Sequence, residues 1–120
     1  MIQIELQNVP LVSKKNKMRI ARGRLIKPRD VQDYEDSVAK AAAEAVAQLP
    51  EWKMLEGEVR VHMEVQFPDR RRRDVHNIFD TTLDALQGII YNDDVQVFEV
   101  SAKKTIGKSW SLVITVEELS

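Results

Sequence analysis

Val59-Arg60-Val61-His62-Met63-Glu64-Val65-Gln66-Phe67 sets an apolar side chain at every second position with a polar one between, and Pro68 closes the run. This is the period of a strand with one buried and one wet face, which puts His62 opposite the apolar set in a structural role. Upstream, Ile2, Ile4 and Leu6 alternate with Gln3, Glu5 and Gln7 before Pro10, predicting a first strand. Between these two strands, Val31, Tyr34, Val38, Ala41 or Ala42, Ala45 and Leu49 recur at helical spacing. They predict a helix capped by Asp30, running to about Leu49 and ended by Pro50. Downstream, Phe79, Leu83, Leu86 and Ile90 predict a second helix over Ile78 to Gln87, with Gly88 at its end. Val95 to Ser101 and Ser109 to Glu117 read as two further strands, with Gly107 in the turn between them. The basic segment Ser13 to Pro28 reads as a ribbon, Met18 to Ala21 and Leu25 to Lys27 around a turn at Arg22-Gly23-Arg24.

Two helices separated by strands must bury their apolar stripes on a common sheet. The expected fold is therefore α+β, a mixed β-sheet with two flanking helices in one domain spanning 1–120; strand order does not follow from the pattern. The 120 residues, 43% apolar and 31% charged, suit one soluble domain and leave no room for a second. No run approaches the roughly 18 apolar residues of a membrane span, and Met1-Ile2-Gln3-Ile4-Glu5 lacks a signal peptide's basic start and apolar run. A cytoplasmic chain with no membrane partner is expected. Zero cysteines exclude disulfides, thiolate metal sites and a cysteine nucleophile. Small domains bury modest cores, so dimerisation would help stability.

The net charge of −1 conceals a segregated distribution. Lys14, Lys15, Lys17, Arg19, Arg22, Arg24, Lys27 and Arg29 form a stretch with no acid among them. Arg70, Arg71, Arg72 and Arg73 are consecutive, and Lys103, Lys104 and Lys108 complete fifteen of the eighteen basic residues. Any one cluster alone reads as solvated surface, but three brought together by folding would attract a polyanion through its phosphates.

Asp74 follows the arginines, past a strand end and before a helix, where side chains project without sacrificing core packing. With a helix starting near His76 or Asn77, His76, Asp80 and Asp84 are spaced four apart on one face. A short loop would bring Asp94, in Asn92-Asp93-Asp94, back toward Asp74. Carboxylates clustered without cysteines suit hard cations such as Mg²⁺ or Mn²⁺, which neutralise phosphate and activate water. Structural readings stand beside this one. Asn77 with Asp80 three residues on resembles a helix-capping pair, Asp84 suits a solvated face, and Asp93 or Asp94 suits a turn. Trp52 and Trp110 are assigned to packing.

The run Phe67-Pro68-Asp69-Arg70-Arg71-Arg72-Arg73-Asp74-Val75-His76-Asn77, with Leu83-Asp84-Ala85-Leu86 and Asp93-Asp94-Val95-Gln96-Val97, resembles the RusA family of Holliday junction resolvases. Chain length, the helix before this run, the two strands after it and the loop with Pro10, Ser13 and Asn16 are also similar. The resemblance implies a metal-dependent homodimeric endodeoxyribonuclease that resolves four-way junctions by paired nicks, serving DNA recombination and repair. Asp74, Asn77 and Asp94 match positions of the family motif. His76 stands in place of the motif's second aspartate, and Asp80 in place of an essential lysine. The implied site is a Mg²⁺ or Mn²⁺ cluster of Asp74, Asp80 and Asp94, with His76 as ligand or base. Branched DNA would be held by Lys14, Lys15, Asn16, Arg22, Arg24, the run Arg70 to Arg73, Asn77, Lys103 and Lys104. The alternative is a non-catalytic or catalytically altered junction-binding protein, since Asp80 exchanges a cation for an anion near the phosphate.

Overall fold

A computed structural model of the chain describes residues 1–12, 19–21 and 23–119, with backbone alone for residues 19–21, 24, 25, 76 and 77. The alternating stretch forms β4 (Val59–Phe67), and its even pattern is explained by its neighbours. β4 pairs antiparallel with β6 (Ser111–Glu118) on one side and parallel with β5 (Val97–Ile106) on the other. β1 (Ile2–Gln7) closes the far side of β6, giving the order β1-β6-β4-β5. Val59, Val61, Met63 and Val65 are fully buried, as are Ile4 of β1 and Ile114 and Val116 of β6. One sheet face is thus the core. The other is wet, and Arg60 there is held between Glu99 and Glu117.

The basic ribbon is a separate antiparallel pair, β2 (Arg19–Ala21) and β3 (Arg24–Ile26). Gly23, at φ 74°, supplies the left-handed turn residue between them. Lys27, just past the ribbon, forms an ion pair with the buried Glu35 of α1 (Arg29–Ala47), tying the ribbon to the helix. α1 packs on β1 and on α2 (Phe79–Leu86), and the Tyr34 hydroxyl meets the Thr82 hydroxyl at 2.8 Å in the interior. α2 lies between β4 and β5 in the chain, the crossover that a parallel pair requires. The architecture is the expected α+β fold. Among the described residues no helix is long and apolar enough to cross a membrane.

Several boundaries differ from the sequence pattern. α1 starts at Arg29 with Pro28 at its N-cap, so Asp30 is not the cap; its Oδ1 instead accepts from Val31 N at 2.8 Å. Leu49 lies beyond α1 and is 41% exposed, because the helix has ended before its side chain could join the apolar stripe. β5 begins two residues later than predicted and runs five residues further. Asp94–Gln96, partly assigned to that strand, is a short 3-10 turn.

Candidate active site

The site region begins where β4 ends. Asp69 Oδ1 accepts from Arg71 N at 2.9 Å and from the Arg73 guanidinium at 2.8 Å, folding the arginine run back on itself. The guanidinium of Arg73 lies 4.9 Å from the Trp110 ring and 5.1 Å from the Phe67 ring, which meet edge to face. The Lys104 ammonium donates to the Arg73 carbonyl at 2.6 Å. These contacts hold the Asp69 carboxyl below the usual aspartate range, chiefly through the Arg73 hydrogen bond and then the Arg71 amide. Arg73 is only 21% exposed, whereas Arg70, Arg71 and Arg72 stand near solvent. Asp74 follows this anchored loop as an exposed residue at the head of a 3-10 turn, Val75–Ile78, which packs beside β5.

The other acidic residues run along α2 and into the loop after it, with Asp80 in the helix's first turn. Asp80 and Asp84 are one turn apart on that helix, and Asp94 lies on the loop that returns to β5. Gly88, at φ 82°, turns the chain after α2, and Tyr91 anchors the return by donating its hydroxyl to the Leu83 carbonyl at 2.6 Å. Gln87 Oε1 accepts from Asp94 N at 2.7 Å. Gln96 Oε1 accepts from the Asn92 and Asp93 amides, while its Nε2 donates to the Leu55 and Gly57 carbonyls. Asp93 caps the 3-10 turn by accepting from Val95 N, so the turn reading holds for that residue.

Desolvation by its neighbours raises the pKa of Asp94, an exposed residue, reinforced by the hydrogen bond with Asp93 and the charges of Asp84, Asp93 and Asp80. The Tyr91 hydroxyl is likewise pushed up, by burial first and then by Asp94 and Asp84. Asp80, Asp84 and Asp94 therefore share one negative field, which a bound cation would relieve. Their oxygen-only donor chemistry fits a hard divalent ion. Among the described residues no three acids or histidines converge at ligating distance, a set that leaves out the His76 side chain.

Placement of the sequence candidates is uneven. His76 is in the 3-10 turn while α2 begins at Phe79, so the expected helical face joining His76 to Asp80 is not formed; a 3-10 turn winds three residues per turn and breaks the four-residue spacing. Ile78, not Asn77, occupies the N-cap of α2, and no side chain caps it. Lys103 and Lys104 point to opposite sheet faces, as neighbours in a strand must, and it is Lys104 that reaches the arginine loop. Lys14, Lys15, Asn16 and Arg22 lie outside the described residues, and Arg24 and Asn77 are described by backbone alone. Asp84, read from sequence as surface, belongs to the acidic field. Gln87 and Gln96 were not singled out at all, although Asp93 followed by Gln96 carries the spacing of a capping box.

The family model for Endodeoxyribonuclease RusA matches residues 8–117. A protein of Escherichia coli (strain K12) named Crossover junction endodeoxyribonuclease RusA is 32% identical over 100 residues, covering 82% of this chain and 80% of its own length. Its namesake from Aquifex aeolicus (strain VF5) is 30% identical over 115 residues, covering 94% and 87%. The counterpart from Enterobacteria phage 82 is 31% identical over 100 residues.

Proposed function

Because the chain belongs to the RusA family of endodeoxyribonucleases, we propose that it cleaves four-way DNA junctions as a metal-dependent homodimer. The observation that carries the metal reading is the grouping of Asp94 with Asp84 and Asp80 of α2, whose charges add to desolvation and the Asp93 hydrogen bond in raising the Asp94 pKa. Asp74 and Asp94 would hold a divalent cation, Mg²⁺ or Mn²⁺, with Asp80 and His76 completing the set. When bound, that cation supplies charge neutralisation at the scissile phosphate and a more acidic water.

The chain's own residues do the remainder. Arg70, Arg71 and Arg72, exposed beside Asp74, hold backbone phosphates on either side of the scissile one, together with Lys14, Lys15, Arg22 and Arg24 of the basic segment. Arg73 and Asp69 fix the loop that presents Asp74. His76 ligates or accepts the proton released as water attacks the phosphorus. Two such sites related by a twofold axis address two opposed strands of a junction, whose own symmetry is twofold.

The test is incubation of labelled four-way junction and matched duplex with the protein in Mg²⁺, Mn²⁺ or chelator, beside Asp74→Asn. Paired, metal-dependent nicks in the junction, lost in the variant, are expected. Junction-selective binding without nicks in either metal would overturn the catalytic reading, and an unimpaired Asp74→Asn would overturn the ligand assignment.

A further inference from the structure

β5 is the most exposed strand of the sheet and sits at its edge. Among the described residues it pairs only with β4, leaving the backbone groups along its outer side without a strand neighbour. Its ten residues contain no proline, and the one irregularity in its pairing is confined to the start, at Val59 and Arg60 of β4. An edge this long is ordinarily blunted by shortness, proline, bulges or lysines; here the bulge lies at one end, Lys104 is drawn onto the Arg73 carbonyl, and Lys103 is the one lysine of the strand left as an edge charge on the wet face. Apolar side chains are left open along it as well: Phe98 is 63% exposed, Val100 43% and Ile106 37%, with Val95 just before the strand at 74%. Val100 and Ile106 belong to the core-side face, in register with Val61 and Phe67 of β4, yet the helices do not cover them, and Phe98 is the extra residue of the bulge between Val97 and Glu99.

We infer that this edge is occupied by β5 of a second copy of the chain, paired antiparallel about a twofold axis through Ser101. The inference rests on the proposed homodimer and assigns it an interface. The charge order of the strand supports it. A twofold axis perpendicular to a continuous sheet keeps each copy's faces aligned, so residues set opposite one another must come from the same face of the single chain. Of the mid-strand registers that satisfy this, centred on Val100, Ser101 or Ala102, only the Ser101 register places Glu99 opposite Lys103 of the other copy, twice by symmetry. Both residues lie on the wet face, where Glu99 is held in place by Arg60.

The same register also sorts the core-side face. Val100 falls opposite Ala102 of the other copy, and Phe98 falls diagonal to Ala102 and Ile106, within reach of an aromatic side chain. Phe98 itself stands opposite Lys104, whose alkyl stem can cover the ring while its ammonium stays on the arginine loop. The exposed apolar residues of the two strands then form one continuous strip rather than two open ones. Joining the strands gives an eight-stranded sheet with both sets of helices on one face.

Sedimentation velocity on the wild-type chain, on Glu99→Lys, on Lys103→Glu and on an equimolar mixture of the two variants tests this directly. Wild type is expected at twice the 13.8 kDa chain mass. Each single variant sets like charges opposite one another at both symmetry-related positions and should raise the dimer dissociation constant at least about tenfold. The mixture restores two opposite-charge pairs and should return to a dimer. Phe98→Asp, at a solvent-exposed position, should also give a folded monomer by circular dichroism and covers the case in which a charge variant fails to fold. Variants that dimerise as tightly as wild type would overturn the β5 interface while leaving a dimer intact, and a monomeric wild type would overturn both. A wild-type dimer that obeys the charge swap but fails to nick junctions would support the interface and defeat only the nuclease reading.

Discussion

Four consecutive arginines look alike in the sequence, yet one of them has a different occupation. Arg73 is withdrawn between Phe67 and Trp110 and bound to Asp69, while its three predecessors stand near solvent. Nothing local announces this, because the second ring comes from a residue 37 positions away on the approach to β6. Arg73→Ala is expected to lose about 1 kcal/mol through the ring contacts, read as a lower urea midpoint, and Arg73→Lys should not restore it because a compact ammonium cannot stack as a planar guanidinium does. Arg70→Ala and Arg72→Ala should leave stability within about 0.5 kcal/mol and weaken DNA binding instead. The pH dependence of the clasp has a definite sign. The Asp69 pKa is depressed in the folded chain, so its contribution is complete above the ordinary aspartate pKa and is lost as pH falls through the lower, folded value. An acid titration of wild type against Arg73→Ala, followed by near-ultraviolet circular dichroism at Trp110, should show the difference between the two narrow toward the acid end to the part that the ring contacts contribute.

At the scale of elements, the strands with a buried face were the legible ones. β1, β4 and β6 alternate because one face of each is covered, and their patterns read correctly to within two residues. β5 has no such cover, so Lys103, Lys104 and Thr105 carry no alternation and the strand's true end at Ile106 was invisible. The start of α2 was hidden for another reason: Val75 and Ile78 fit a helical stripe whether the turn winds as 3-10 or as α, and only the backbone separates them. The consequence for the site is that Asp80 and Asp84 share a helix while His76 does not. What fixes α2 is its contact with α1, where the Tyr34 and Thr82 hydroxyls pair in the interior. Tyr34→Phe should cost about 1–2 kcal/mol, since the buried Thr82 hydroxyl loses its partner, and Tyr34→Phe with Thr82→Val should recover part of that loss in a double-mutant cycle by urea denaturation.

Over the whole molecule, the net charge of −1 divides into basic segments, one of them the arginine loop that Lys104 joins before Asp74, and an acidic field of Asp80, Asp84 and Asp94 along and after α2. A DNA backbone approaching this surface is drawn by the first and repelled by the second unless a cation intervenes. Binding should therefore fall steeply with salt, and loss of one phosphate contact, as in Arg72→Ala, should reduce the slope of log K against log salt by about one per protomer. The acidic field gives a sharper expectation. Asp94→Asn removes one negative charge from a cluster whose charges, after desolvation and the Asp93 hydrogen bond, raise the Asp94 pKa. In chelator, with no cation to screen the phosphates, the variant should bind a four-way junction more tightly than wild type. A unit charge at about 4 Å in water is worth roughly 1 kcal/mol, an affinity gain of about fivefold. In Mg²⁺ the order should reverse or level, because wild type regains a cation that the variant holds poorly, and cleavage by the variant should drop at least about a hundredfold. Filter binding and nicking assays on the same protein, with and without metal, read both effects. Equal affinities in chelator would mean that Asp94 does not face the DNA, and the acidic field would then have to be assigned to the fold and not to the phosphate.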